Sequence, residues 1–293
     1  MSLLTVTNLN KQYPSFRLKD VSFSLDKGYI MGFIGINGAG KTTTLKSILS
    51  MVQAESGSVF IMGKEFRDHQ LELKEQLGIV LGETDIYKKK KIKTITDVVK
   101  RFYTRWDNDK YNEYCRMFNL DGEKALFELS QGMRTKYFIT LALSHNAKLF
   151  ILDEPTSGLD PAARDDLLEI FQKLVEDGEK SILFSTHITS DLEKCADFIT
   201  YIHDGKIIAS DSKDEFLGSY KMVKGTLEQL NEERRMKMIS YRKHSFGFSG
   251  LIKSREGSHF DGMQLEEPTL EEIMIYYSKQ EAKQGGNNEE YAF

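Results

Sequence analysis

The run Gly35-Ile36-Asn37-Gly38-Ala39-Gly40-Lys41-Thr42 fits the pattern G-x-x-x-x-G-K-[ST], and its chemistry is that of holding phosphate. Glycines let successive backbone N–H groups turn inward around phosphate oxygens. Lys41 can reach the outer phosphates, and the Thr42 hydroxyl can ligate Mg2+. A second constellation follows 112 residues after Lys41, where Leu149-Phe150-Ile151-Leu152 ends in Asp153-Glu154. On a buried parallel strand both carboxylates emerge at the C-terminal edge, where open α/β sheets bind ligands. Asp153 can hold Mg2+ through its water shell, and Glu154 can act as general base on an attacking water.

These residues need elements to position them. Tyr29-Ile30-Met31-Gly32-Phe33-Ile34 reads as a buried central strand feeding the glycine-rich turn, and Thr42–Val52 as the helix after it. That order places phosphate at a helix N-terminus. Upstream, Val21, Phe23 and Leu25 alternate with polar residues, as in a half-buried strand. A short β section is expected near Ser58–Met62. The stretch from Leu71 to Lys136 is mostly helical in pattern and rich in charge, and Phe102–Trp106 reads as its core. Asp160-Pro161 supplies an N-cap and first helical residue, Leu167, Phe171 and Leu174 give the buried stripe, and Gly178 closes the helix. Ser181-Ile182-Leu183-Phe184 is the next strand. The β-α-β alternation predicts a mainly parallel sheet covered on both faces.

Composition narrows the classes. In 293 residues, 40 Lys+Arg stand against 44 Asp+Glu, giving a net charge of −4 that argues against nucleic-acid binding driven by overall charge. The longest stretch without a charged residue, Gly28 to Gly40, is too short to span a membrane as a helix. Met1–Pro14 lacks the basic flank and apolar run of a secretory signal. Cys115 and Cys195 are too far apart for a C-x-x-C site, so neither a zinc site nor a disulfide scaffold is expected. Composition shifts after Gly218. Residues 219–280 read as a small accessory unit with a strand near Phe246–Ile252, and with a final helix opened by a Thr269/Glu272 capping box. Leu270, Ile273, Met274 and Tyr277 share one face of that helix, and 281–293 is expected to be a flexible tail.

Between the two phosphate-site motifs stands Leu129-Ser130-Gln131-Gly132-Met133, which resembles the L-S-G-G-Q signature of ATP-binding cassette (ABC) ATPases. Pro155-Thr156-Ser157-Gly158-Leu159-Asp160-Pro161 is similar to that family's D-loop, and Ser185-Thr186-His187 to its switch-histidine segment. Tyr13 stands where the family places an aromatic that stacks on adenine. The resemblance covers residues 1 to about 218 in order and spacing. It implies an α/β P-loop nucleotide-binding domain: a RecA-like parallel sheet, an antiparallel β subdomain and a helical subdomain at about 84–135, followed here by a small α+β extension.

The resemblance further implies ATP and Mg2+ as cofactors, with Asn37, Gly38, Ala39, Gly40, Lys41, Thr42 and Thr43 around the phosphates and Tyr13 on the base. Thr42 and Asp153 would hold the metal, while Glu154, His187 and Lys41 would act in catalysis. Two ATPs would lie between two head-to-tail subunits, identical or paralogous, with Ser130 and Gly132 of one facing Lys41 and Thr42 of the other. The single cassette and the Glu267-Pro268-Thr269-Leu270-Glu271-Glu272 ending resemble ABC-2-type exporter ATPases of Gram-positive bacteria, which serve antibiotic, bacteriocin and phenol-soluble modulin export. On that resemblance the expected partners are a transmembrane permease subunit and a second ATPase subunit, with no nucleic acid. The expected location is cytoplasmic, on the inner face of the cell membrane.

One departure stands out, and Gln131 in place of the signature's Gly is a milder one that leaves the Ser130 and Gly132 donors in place. Where the family has a Gln after the strand at Gly78–Leu81, this chain has Gly82, and Glu83 is a candidate to take over part of that role. The basic run Lys88–Lys91, with Lys93, reads as a solvated face or as a group near an anionic membrane or partner. A soluble ABC ATPase acting on ribosomes or DNA is the alternative reading. It fits less well, because the chain has one cassette and neither coiled-coil nor zinc insertions. A P-loop GTPase would need N-K-x-D, and Asn10-Lys11-Gln12-Tyr13 ends differently.

Overall fold

The alternation at Val21–Leu25 belongs to a longer strand than those residues suggest. In a computed structural model that describes residues 2–82 and 87–284, with side chains in the last helix described to Lys279, β1 (Ser2–Tyr13) and β2 (Phe16–Asp26) form a hairpin closed by the Tyr13–Phe16 pair. Glu83 and residues 285–293 of the expected tail lie outside the described residues. β3 (Ile30–Ile34) is buried at every position and runs into the glycine-rich turn and α1 (Lys41–Ile48). The helix is shorter than its pattern suggests. Ser50 adopts a left-handed φ of 53°, and the Met51 and Val52 N–H groups both return to the Lys46 carbonyl, at 2.9 and 3.2 Å. This left-handed closure satisfies carbonyls that further helical turns would otherwise bond. β4 (Ser56–Ile61) and β5 (Lys64–Glu65) complete an antiparallel sheet of order β2-β1-β4-β5.

α2 (Gln70–Lys74) and β6 (Leu77–Leu81) lead into the helical stretch of α3 (Ile92–Val99), α4 (Asn108–Met117) and α5 (Gln131–Leu143). Its core gathers Ile92, Leu126, Leu129 and Tyr137. The Thr96 hydroxyl lies 3.0 Å from those of both Tyr111 and Tyr137, so these polar tips are satisfied within the cluster. One expectation is corrected here: Tyr103 and Trp106 pack inward, but Phe102 is 71% exposed, because a 3-10 turn over Lys100–Phe102 rotates it outward. β7 (Leu149–Asp153), α6 (Pro161–Val175), β8 (Ser181–Thr186), α7 (Thr189–Cys195), β9 (Phe198–His203) and β10 (Lys206–Ser212) follow. They build a second sheet of order β10-β9-β3-β8-β7-β6, in which β9, β3, β8, β7 and β6 pair parallel. β3, β8 and β7 are adjacent, so the ends of three consecutive parallel strands open on one edge.

By packing, the chain divides between Ser210 and Asp211. The second unit opens with α8 (Lys213–Gly218), so the composition shift after Gly218 marks the start of β11 (Tyr220–Gly225). A helix of ordinary composition carries no boundary signal. α9 (Glu232–Lys237), β12 (Met238–His244), β13 (Gly247–Lys253) and β14 (Gln264–Glu266) follow, with sheet order β12-β13-β11-β14. Val223, Phe248, Ile252 and Phe260 fill a core of this unit. α10 (Leu270–Gln284) packs on β12 and β13, and runs into the segment expected to be a flexible tail. Its capping box is formed: the Glu272 N–H donates to the Thr269 hydroxyl at 3.1 Å, and the Thr269 N–H to the Glu272 carboxylate at 2.9 Å.

Candidate functional site

The glycine-rich turn is dictated by backbone conformation and by space. Gly38 and Gly40 adopt φ of 84° and 111°, and a Cβ on Gly40 would lie 2.7 Å from Phe16 Cζ. Only glycine meets both demands. The turn is braced from within, with the Ala39 N–H on the Ile36 carbonyl and the Gly205 N–H on the Ala39 carbonyl, each at 3.1 Å. Asn37 and Gly38 are exposed at its tip, Ala39 is buried, and Thr43 is half-buried on the first turn of α1. That helix has no acidic residue in its first turn and no side-chain cap at Gly40, which leaves its N-terminus suited to an anion.

Lys41 is buried beneath this turn. Its ammonium donates to the Gly35 carbonyl at 2.7 Å and the Ile36 carbonyl at 3.4 Å, and lies 3.6 Å from Glu154 Oε1. Burial lowers its pKa, against the opposing pull of Glu154 and Asp153. The Thr42 hydroxyl donates to Asp153 Oδ2 at 2.7 Å. Asp153, buried at the end of β7, accepts the Ser185 hydroxyl on its other oxygen, because β7 and β8 pair Asp153 with Ser185. Glu154 leaves the strand with a left-handed φ of 52°, a conformation that costs a non-glycine residue about 1–2 kcal/mol. Its N–H lies 3.1 Å from both the carbonyl and the hydroxyl oxygen of Ser185. Glu154 Oε2 is 2.8 Å from Nδ1 of His187, whose side chain is 48% exposed.

Lys41, Thr42, Asp153, Glu154 and His187 therefore form one connected group. Ser130 and Gly132 form another. Ser130 caps α5 by accepting the Met133 N–H at 3.3 Å, and a Cβ on Gly132 would lie 2.7 Å from the Gly158 carbonyl. Behind them Arg134 donates to the carbonyls of Leu126 and Leu129 at 3.1 Å and of Phe127 at 3.2 Å. Asp160 caps α6, and the N–H of Ala163 donating to it at 3.0 Å holds its carboxyl below the usual range. Tyr13 ends β1, half-buried, with the Lys11 ammonium 5.4 Å from its ring centre. Two residues escaped the sequence reading. Phe16 packs against Gly40, and nothing in the sequence around it signals that contact. Ser185 touches both acids, and its one signal was its place just before Thr186-His187.

Gly82 is exposed with φ of 49°, and with Lys88, Gln131 and Glu154 it borders a cleft beside the acids. The basic run is largely exposed. Lys88 borders that cleft, while Lys91 and Lys93 pair with Glu123 at 2.8 and 3.5 Å. For Mg2+, the donor set near the turn is one hydroxyl and one carboxylate. These hard oxygens suit an ion that takes its remaining ligands from water and phosphates. Among the described residues no cluster of three or more His, Cys, Asp or Glu could hold a metal without them.

Comparison with known proteins decides the family. A model described as ABC transporter matches residues 18–157, which contain the phosphate turn, the signature segment and both acids. The Lantibiotic transport ATP-binding protein SrtF of Streptococcus pyogenes is 33% identical over 220 residues, covering 72% of this chain and 92% of that protein. The chain belongs to the ABC transporter family. Within that family it is an ATP-binding cassette, an ATPase. A solved ATP-binding subunit of an ABC transporter superposes with a TM-score of 0.66 at 29% identity, over 73% of this chain and 91% of that one. The Linearmycin resistance ATP-binding protein LnrL of Bacillus subtilis is 27% identical over 303 residues, 93% of this chain and 97% of its own. Similarity to it therefore extends beyond the cassette into the second unit.

Proposed function

We propose that this chain is the ATP-hydrolysing subunit of an ABC-2-type exporter for an antibiotic, a peptide or another amphipathic molecule, whose path lies in a separate permease. The observation that carries the hydrolytic half is the connected group Lys41–Glu154–His187 and Thr42–Asp153. The export half is supported by the relatives named for lantibiotic transport and linearmycin resistance. Among the described residues, no helix is long and apolar enough to cross a membrane. On this reading a permease holds the chain at the inner face of the membrane.

On this reading the turn around Asn37–Gly40 and the first turn of α1 take the phosphates, while Tyr13 takes the base. Lys41, now bonded to neutral carbonyls, exchanges them for phosphate oxygens, which accept more strongly because they are charged. Thr42 and Asp153 would hold Mg2+, which would supply charge neutralisation on the phosphates. Glu154 orients and deprotonates the water, and His187, hydrogen-bonded to it, fixes its carboxylate and reaches toward the terminal phosphate. Ser130 and Gly132 serve the site of a second subunit, identical or paralogous, through the N-terminus of α5.

The test is phosphate release from Mg2+-ATP by the purified chain alone and with a co-expressed ABC-2-type permease. Turnover that depends on Lys41 and Glu154 and is raised by the permease is expected. A chain that co-sediments with ribosomes and ignores the permease would overturn the export reading.

A further inference from the structure

The geometry points to Ser185 as a positioning residue that fixes both acids of the site: its hydroxyl turns the Asp153 carboxylate toward Thr42, with which it would share the metal, and together with the Ser185 carbonyl it holds the Glu154 N–H in its left-handed turn. The inference rests on the proposed roles of Asp153 and Glu154 and goes one residue beyond them. Ser185 is fully buried on β8, in register with Asp153 on β7. Its hydroxyl has one proton, and that proton is given to Asp153 Oδ1. The lone pairs that remain face the Glu154 N–H at 3.1 Å. One oxygen therefore donates to the first acid and accepts from the second.

This arrangement constrains both side chains. The carboxylate of Asp153 has two oxygens, one taken by Ser185 and the other by Thr42. With Oδ1 fixed, Oδ2 is the oxygen presented toward the Thr42 hydroxyl, and the carboxylate plane cannot rotate away. Glu154 sits one residue later at φ 52°, where a non-glycine residue persists only if its surroundings hold it. Its N–H is held from one residue, by the carbonyl and hydroxyl oxygens of Ser185. The same turn sets Glu154 Oε2 at 2.8 Å from His187. A residue serving packing alone would need no hydroxyl here: alanine would fit the strand but leave a buried carboxylate oxygen without its donor.

The test compares Ser185→Ala, Ser185→Thr and Ser185→Val in the full chain, Thr and Val being alike in shape but only Thr having the hydroxyl. Two quantities are read: Mn2+ binding in the presence of a non-hydrolysable ATP analogue, by electron paramagnetic resonance, and the Mg2+ concentration giving half-maximal turnover. Partners that orient a metal ligand typically matter by about 10–100-fold in metal affinity or activity. We expect Ser185→Ala and Ser185→Val to weaken Mn2+ binding and raise the Mg2+ requirement by about 10-fold or more. Ser185→Thr should stay within about 3-fold of the unaltered protein, and nucleotide binding in EDTA should be unchanged in all three.

If Ala and Val variants bind Mn2+ and use Mg2+ as the unaltered protein does, the inference is overturned. It is equally overturned if Thr and Val lose function together, because shape rather than the hydroxyl would then be required. If Ser185→Ala does not fold, the Thr–Val pair still decides. Asp153→Asn run in parallel separates the two levels. An unchanged Mg2+ requirement in that variant would sink the metal assignment itself, whereas a changed one beside normal Ser185 variants sinks only the present inference.

Discussion

The cassette has two poles with opposite internal economies. At the catalytic pole, polar groups from α1, β7, β8 and the turns after those two strands bond to one another across the sheet edge, so that Lys41, Thr42, Asp153, Ser185, Glu154 and His187 form a connected network. At the signature pole, the polar groups serve their own elements: Ser130 caps α5, Arg134 ties down the carbonyls before it, and Gly132 makes room for Gly158. The first pole is assembled for chemistry within one chain. The second is a capped helix end whose Gln131 borders the same cleft as Glu154, while Ser130 and Gly132 make no hydrogen bond to the catalytic group among the described residues.

The largest expected effect tests the first pole. Glu154→Gln keeps the shape but removes the base, and phosphate release should fall by about 10²–10⁴-fold with nucleotide binding retained. A fall under about 3-fold would show that the base lies elsewhere.

The far end of α5 gives the next. His145 is buried just beyond that helix and stacked on Tyr103, with ring centres 3.8 Å apart. Burial lowers its pKa from 6.5 to about 4, so it is neutral in the folded state. Between those values the unfolded chain binds more protons than the folded one, and stability rises with pH across that window. The contribution is complete above pH 6.5 and is lost as the pH falls toward about 4, roughly 3 kcal/mol in all. Urea melts of the parent and His145→Gln from pH 7 to 4.5 measure it. Equal slopes in the two would refute it.

Ser130→Ala probes the near end of the same helix. It should lower turnover by about 10-fold, as expected for one lost hydrogen bond to a charged group, and cost about 1 kcal/mol of stability as a lost cap. Nucleotide binding to the isolated monomer should not change. If it weakens there, the two poles act in one chain and the comparison fails. The smallest effect lies in the second unit: Thr269→Ala, by undoing the α10 capping box, should cost about 1 kcal/mol in melting and leave turnover untouched.

The residues of the phosphate turn and the paired acids were legible because their chemistry is local. A glycine-rich turn between strand and helix, and acids at a strand end, are readable from consecutive residues. Helix ends were less so: α1 stops at Ile48 because Ser50 turns left-handed, a choice that its neighbours impose. Phe102 has a core residue's composition and an exposed position, because a 3-10 turn shifts the phase of the apolar face. The limit of the second unit was missed in the same way, since α8 differs from the cassette in what it packs against and not in what it is made of.

By itself the sequence determined the family, the parallel α/β core and the identities of the phosphate, metal and base candidates, all properties of residue types at fixed short spacings. The tertiary structure alone decided that β3, β8 and β7 lie side by side. From that follow the Thr42–Asp153 bond, the Glu154–His187 bond and the place of Ser185 between both acids. Strand order and register are set by which apolar faces bury together over the whole sheet. No stretch of sequence around Ser185 contains that information, because its partners stand 31 and 32 residues away in the chain and one strand away in space.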